Sequence, residues 1–233
     1  MARAKHQRRA DRSCSSQLAS TLVEKPPAAT GCRFDESCYA LAVLRVATIV
    51  AETEAEGPGH RFAVWLQGCS IRCPGCCNPE MFDERRGEPM TPAELAARIP
   101  ATVEGITLLG GEPFEQATEA AEFARLAKAR GLTIMVFSGY TLAEIRARAD
   151  SAPLLDQVDL LVDGRYDRDK PEPKPPEGRR WIGSANQTMH YLTSAYSADD
   201  PQMRAANTIE IRISAKSLLV NGWPSADRLV RRK

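Results

Sequence analysis

Four of the chain's seven cysteines, Cys69, Cys73, Cys76 and Cys77, fall within nine residues, and that crowding limits what the chain can fold around more than any other feature. Cysteines this close do not build a general disulfide framework, and seven is an odd number, so a reducing compartment and a metal site are expected. The segment Gly68-Cys69-Ser70-Ile71-Arg72-Cys73-Pro74-Gly75-Cys76 is a Cys-x3-Cys-x2-Cys triplet on the loop after a predicted strand. The number of ligands is informative. A structural zinc site takes four protein ligands and a saturated 4Fe-4S cluster takes four thiolates, whereas three thiolates on a cubane leave one iron open to an exogenous ligand. Gly68, Pro74 and Gly75 let the backbone wrap tightly, and backbone N–H groups aimed at sulfur accommodate a cluster's negative charge. Cys77 competes for the open position. Adjacent residues of an extended chain point to opposite faces, so Cys77 is expected to pack as a small apolar residue. A zinc site completed by His60 or Cys77 is the other alternative.

The pattern around the cysteines alternates strand with helix. Strands are predicted over 40–50 and 62–67, and a helix over 91–99 opens with a Thr91 cap, Pro92 at its first position and Glu94 three residues on. Residues 105–109 read as a buried strand running into Gly110-Gly111. A helix follows over 114–130, with Ala, Phe and Leu at helical spacing, and stops at Gly131. A strand over 132–137, a short helix over 141–149 and a strand over 158–162 ending in Asp163-Gly164 continue the repeat, which implies a parallel sheet. Near the end Ile209, Ile211 and Ile213 alternate with polar residues, and 218–220 is expected to pair back as a hairpin. Residues 165–180 are dense in charge and proline; a flap near the active face and a solvated surface loop are equal readings.

Composition excludes several classes. With 31 basic against 30 acidic side chains there is no field for nucleic acid or an anionic membrane. The longest apolar run, 39–51, is broken by Arg45 and is shorter than the roughly 18 residues of a spanning helix. The basic start is followed by polar residues, not by a signal-peptide core, so a cytoplasmic protein is expected. Residues 1–40 carry no sustained apolar periodicity and are expected to be poorly ordered; a start codon misplaced upstream explains them as well as a functional tail. Cys14, Cys32 and Cys38 read as unpaired thiols of that segment. Residues 41–233 are expected to form one α/β domain.

The motifs resemble those of the radical S-adenosylmethionine superfamily, and within it the glycyl-radical activating enzymes. Besides the cysteine triplet, Gly57-Pro58-Gly59-His60-Arg61 is similar to the family's Asp-Gly-Pro-Gly-x-Arg block, with Glu56 where Asp is usual. Gly75-Cys76-Cys77-Asn78-Pro79 resembles Gly-Cys-x-Asn-Pro, and Gly110-Gly111-Glu112-Pro113 reproduces Gly-Gly-Glu-Pro. Ser138-Gly139-Tyr140, Asp163-Gly164-Arg165-Tyr166 and Gly183-Ser184-Ala185-Asn186-Gln187 fall where the family has its later turns, with Thr188 in place of a frequent Arg. The resemblance covers roughly 44–187.

The resemblance implies a partial β/α barrel, open on one side, carrying a 4Fe-4S cluster on Cys69, Cys73 and Cys76. It implies that S-adenosylmethionine chelates the open iron and, given one electron from flavodoxin or a similar low-potential donor, yields a 5′-deoxyadenosyl radical that abstracts a glycine hydrogen from a partner enzyme. On the same basis Gly110 and Gly111 approach the methionine part, Glu112 and Pro113 shape the turn, and Ser138, Asp163 and Asn186 make polar contacts to the cosubstrate. No nucleophile–base pair for a hydrolase is present, and no side chain is assigned to the chemistry itself. Trp65 reads as core. Two rivals stand: an electron-transfer iron–sulfur protein with Cys77 as fourth ligand, and a radical enzyme acting on a peptide or small metabolite.

Overall fold

The computed structural model describes residues 42–213 and 218–222; the expectations for residues 1–40, with Cys14, Cys32 and Cys38, lie outside them. In chain order the elements are β1 (Leu44–Thr53), β2 (Arg61–Leu66), β3 (Glu88–Met90), α1 (Pro92–Ala97), β4 (Gly105–Gly110), α2 (Ala117–Lys128), β5 (Thr133–Phe137), α3 (Leu142–Ala147), α4 (Ala152–Leu155), β6 (Leu160–Asp163), β7 (Thr188–Tyr191), α5 (Pro201–Arg204), β8 (Glu210–Ile213) and β9 (Leu218–Asn221). Seven strands make one sheet in the order β3-β1-β2-β4-β5-β6-β7.

The four central strands β2, β4, β5 and β6 run parallel, as the strand–helix repeat requires. The flanks correct the expectation of a parallel sheet throughout: β1, β3 and β7 all pair antiparallel, so the sheet is mixed. The link between β1 and β2 is only a short turn, which suits an antiparallel pair and leaves no room for a crossover. β3 and β7 are the two ends of the sheet order, so the sheet is open.

Alternate residues of the buried strands serve two faces. Phe62, Val64, Leu66, Ile106, Leu108, Ile134, Val136 and Leu161 pack with Leu95, Phe123, Ala124, Ile145 and Leu154 of the helices. Ala63, Trp65 and Leu109 turn the other way with Val50 and Met81, while Met135, Leu160 and Val162 pack with Trp181, Ile182 and Met203. Among the described residues the only α-helix packed on the second face is the one-turn α5, through Met203, and the cavity described below opens there. Local signals set the helix starts: Thr91 and Thr141 each accept from the N–H three residues on, and Glu94 and Glu144 reach back to the cap N–H. The helix predicted over 114–130 begins instead as a 3-10 turn, Pro113–Gln116, and becomes α-helical at Ala117.

At the amino ends of the parallel strands Arg61 is fully buried. Its guanidinium donates to Thr107 Oγ1 (2.7 Å), Thr133 Oγ1 (3.0 Å), Tyr196 Oη (3.1 Å) and the carbonyls of Pro58 (3.1 Å), Thr133 (3.1 Å) and Ile106. Glycine makes the space: a Cβ on Gly57 would stand 2.6 Å from Arg61 Cδ, and one on Gly105 2.4 Å from its nearer terminal nitrogen. The Gly57-to-Arg61 block is therefore a structural joint between β2, β4 and β5.

The hairpin read from the isoleucine alternation is present, with Ile211 opposite Val220 and Ile213 opposite Leu218. It forms a sheet of its own, fastened to the end of β1 and the turn after it: Asn221 Nδ2 donates to Thr53 Oγ1 (2.9 Å), Glu54 N to Glu210 Oε1 (2.9 Å) and Gly222 N to Glu56 Oε1 (2.7 Å). Residues 165–180 form no helix or strand, but they are tied down by the Glu172–Arg179 ion pair (2.7 Å) and a bridge between Pro171 and Ser184. Among the described residues no helix is long and apolar enough to cross a membrane.

Candidate metal centre

The cysteine loop leaves the carboxyl end of β2 and is stitched to its surroundings by backbone. Gly68 N donates to Met81 O (2.8 Å), Glu112 N to Gly68 O (2.8 Å) and Gly111 N to Leu66 O (2.8 Å). Gly111 is obligatory at this contact, since a Cβ there would lie 2.3 Å from Gly68 O. A carboxylate fixes the loop from the side: Glu115 accepts from Ser70 N (3.0 Å), from Ser70 Oγ and from Tyr140 Oη (3.0 Å). Glu112 does the same for the neighbouring turns, accepting from Phe114 N (3.0 Å), Ser138 Oγ (2.9 Å) and Gly139 N (2.8 Å). Burial pushes Glu112 up to about 7, against those three hydrogen bonds.

These turns border a cavity of about 660 Å³. Cys69, Cys73 and Cys76 line it together with Gly110, Gly111, Glu112, Ser138 and Gly139. Each thiol meets backbone N–H groups: Arg72 and Ile71 at Cys69, Tyr166 at Cys73, and Asn78 at Cys76 (3.4 Å). Burial raises Cys69 and Cys73, and the N–H groups oppose it. Among the described residues no group of three His, Cys, Asp or Glu side chains is set to hold a single ion. Three thiols spaced along a cavity wall, with N–H donors on their sulfurs, suit an anionic multi-atom cluster better than zinc. His60, the histidine of the zinc alternative, instead pairs with Glu54 (3.0 Å) and does not line the cavity.

Cys77 departs from expectation. Its side chain is exposed, lines the same cavity and hydrogen-bonds to Cys76; that bond is the main reason Cys76 is lowered to about 7 and Cys77 is pushed up. The loop turns after Pro74-Gly75, with Gly75 at φ 77°, so the extended-chain rule of opposite faces does not hold there.

The remaining predicted contacts divide. Ser138 lines the cavity, but its hydroxyl already donates to Glu112 and accepts from Tyr140 N. Pro113 is buried behind the turn. Asp163 lies outside the cavity lining: its carboxylate accepts from Leu142 N and faces His190 Nε2 at 3.0 Å, anchoring α3. Asn186 is exposed and donates to Arg165 O (2.8 Å), while its neighbour Gln187 lines the cavity and clasps Gly164 O, Gly183 N and Ser184 N.

Sequence reading missed Trp181, Gln187, Tyr166, Phe137 and Glu56 as cavity residues. Glu56 is buried where the hairpin is fastened, and burial pushes it up to about 7 against hydrogen bonds from Gly222 and Asn221. An acid raised in the native state holds its proton there more tightly than in the unfolded chain. Its contribution therefore favours folding most below about pH 4.5 and declines as pH rises through about 7. Urea unfolding at pH 5 and pH 8 is expected to show a difference from this group of up to about 3 kcal/mol, which Glu56→Gln removes. Glu112 adds a decline of the same sign that the variant keeps; an undiminished pH difference in Glu56→Gln would contradict the assignment.

The family described as 4Fe-4S single cluster domain matches residues 55–190, more than half of the chain, and the chain belongs to it. The anaerobic ribonucleoside-triphosphate reductase-activating protein of Salmonella typhimurium (strain LT2) is 32% identical over 147 residues, 58% of this chain and 91% of that protein. Proteins so described from Escherichia coli (strain K12) and Enterobacteria phage T4 are 31% and 30% identical, with 91% and 85% of their lengths covered by 58% and 57% of this chain. Within the single-cluster domains, then, the chain belongs with the reductase-activating proteins.

Proposed function

We propose that this chain is a radical S-adenosylmethionine enzyme that installs a glycyl radical on a partner protein. The observation that carries the reading is the meeting, in one cavity, of the thiols of Cys69, Cys73 and Cys76 with the Gly110-Gly111-Glu112 turn. Its relatives' names point to an anaerobic ribonucleotide reductase as partner, with pyruvate formate-lyase the next candidate by resemblance. When bound, a three-thiolate 4Fe-4S cluster and S-adenosylmethionine supply reductive cleavage to a 5′-deoxyadenosyl radical, with the electron drawn from flavodoxin or a similar donor.

The chain's own residues bind, orient and shield. The N–H groups of Ile71, Arg72, Asn78 and Tyr166 offset negative charge on the sulfurs. Gly110 and Gly111 let the turn close against Trp65 and Gly68 at the cavity wall, where the cosubstrate would bind, and Glu112 keeps that turn in register with Ser138 and Gly139. Trp65, Leu109 and Phe137 give the cavity an apolar floor that keeps water from a reactive radical. The open edges of the sheet suit the partial barrel of the superfamily, and an oxygen-sensitive cluster suits the cytoplasm.

The test is anaerobic. Protein reconstituted with iron and sulfide, reduced and given S-adenosylmethionine should release 5′-deoxyadenosine. A second reading, electron transfer without the cosubstrate, has one observation in its favour: Cys77 stands in the cavity beside Cys76. A cluster whose paramagnetic resonance spectrum ignores S-adenosylmethionine, with no nucleoside formed, would favour it.

A further inference from the structure

We infer that Arg168 holds a positive charge against the cysteine loop and sets how readily a cluster on Cys69, Cys73 and Cys76 accepts an electron, an inference that rests on that ligand set but not on cleavage of the cosubstrate. Gly75 lies between Cys73 and Cys76, and a Cβ there would stand 2.3 Å from Arg168 Nε, 2.5 Å from a terminal nitrogen and 2.7 Å from Cζ. All three are guanidinium atoms. The charged group, not the aliphatic stem, therefore rests on the turn that carries two of the three thiols. Glycine serves there for more than its φ of 77°, since the missing side chain is what lets the guanidinium down onto the backbone.

The charge of Arg168 is not spent elsewhere. Among the described residues its side chain makes no hydrogen bond or ion pair, with the adjacent Asp169 or any other carboxylate. Asp167 is taken by Lys170 (3.0 Å) and Glu144 by Arg165 (2.9 Å). The backbone on either side is held: Asp167 N donates to the buried Ser184 Oγ (3.0 Å), Lys170 N to Asp167 O (3.2 Å) and Ala185 N to Lys170 O (2.7 Å). The same segment meets the loop at a second point, where the Tyr166 N–H reaches the Cys73 sulfur and the Arg165 charge favours the thiolate. Residues 165–168 are thus a fixed basic flank of the cysteine loop.

The cavity itself offers no such charge. Its lining holds Glu56, Glu80 and Glu112 but no lysine or arginine, so a positive charge has to come from residues just outside the lining. Three thiolates give a 4Fe-4S core a net negative charge, and one electron adds another. A guanidinium stays protonated at any working pH and attracts the reduced form more than the oxidised one. Arg165 shares its charge with Glu144, which leaves Arg168 as the uncompensated cation of the flank. Its effect is to raise the reduction potential.

The test is an anaerobic redox titration of the full chain reconstituted with iron and sulfide, read by the paramagnetic resonance signal of the reduced cluster. Arg168→Gln removes the charge and keeps a polar side chain on Gly75; it is expected to lower the reduced-to-oxidised ratio at a fixed potential by up to about tenfold, a shift of about 59 mV for one electron. Arg168→Lys keeps the charge and should restore most of that ratio. Arg125→Gln removes the same charge from α2, which packs on the other face of the sheet, and should leave the ratio unchanged. An unchanged ratio in Arg168→Gln, one matched by Arg125→Gln, or a loss that Arg168→Lys shares in full would overturn the assignment. Cluster lost from Arg168→Gln but kept by Arg168→Lys would support it, and cluster lost from both would overturn it, as would wild-type protein that holds no cluster. The expected shift in protein that releases no 5′-deoxyadenosine would support the role of Arg168 and remove the radical reading alone.

Discussion

Cys73→Ala is expected to lower 5′-deoxyadenosine formation by at least about a hundredfold and to leave the reconstituted protein without a stable cluster. Cys73 sits mid-loop, where its sulfur takes an N–H from Tyr166, a residue of the same cavity wall. Alanine there removes a thiolate that no neighbour is placed to replace. Cys77, the nearby spare thiol, is hydrogen-bonded to Cys76, and its backbone lies four residues beyond position 73. Cys77→Ser should retain both the cluster and the nucleoside product, because the proposed ligand set does not use it. Iron and sulfide content, the resonance spectrum with and without S-adenosylmethionine, and the nucleoside assay read all three proteins. A Cys73→Ala protein that keeps its cluster, or a Cys77→Ser protein that loses it, would require a different ligand set.

The second large effect lies at the opposite end of the sheet. Arg61→Met should cost about 3–5 kcal/mol of folding stability, near 10 °C in melting temperature for a chain of this size. Methionine replaces the aliphatic stem, but the carbonyls of Pro58, Ile106 and Thr133 and the hydroxyl of Thr107 lose their donor in a buried place. The charge itself is not the benefit: burial lowers the Arg61 pKa, and no ion pair with a carboxylate offsets it among the described residues. Six hydrogen bonds are the benefit, four of them joining β2 to β4 and β5. Because the joint is remote from the cysteines, cluster content per folded molecule should be unchanged. A loss below about 1 kcal/mol would show that water takes over those acceptors.

What was legible in the sequence follows from how local each signal is. Thr91-x-x-Glu94 and Thr141-x-x-Glu144 start helices because both partners of the capping box lie within one turn. The isoleucine alternation pointed to the hairpin because its two strands are close in sequence, and the structure adds the register. β3 and β7 were not legible: Glu88–Met90 contains a proline, Thr188–Tyr191 is half polar, and each is a strand only because a neighbour's edge is free to pair. At the site, the cysteines and the Gly-Gly-Glu turn announce themselves by residue type and spacing. Asp163 carried a motif but proved to be an anchor for α3, which depends on Leu142 being brought beside it from 21 residues away. Trp181, Asn221 and the fastening by Glu56 were invisible. What matters there is which atoms end up buried, paired or unpaired, and that is decided by contacts across up to 168 residues.

The wall formed by the hairpin also has a history in time. About 140 residues separate the last cysteine of the triplet from Leu218, so a ribosome finishes the wall on the order of 10 s after the thiols emerge. Until then that flank of the cavity lacks Leu219 and Val220, which line it in the finished fold. Loading during synthesis and reloading of a finished, damaged molecule are thus different problems for the cell, and truncation near residue 207 would make them the same.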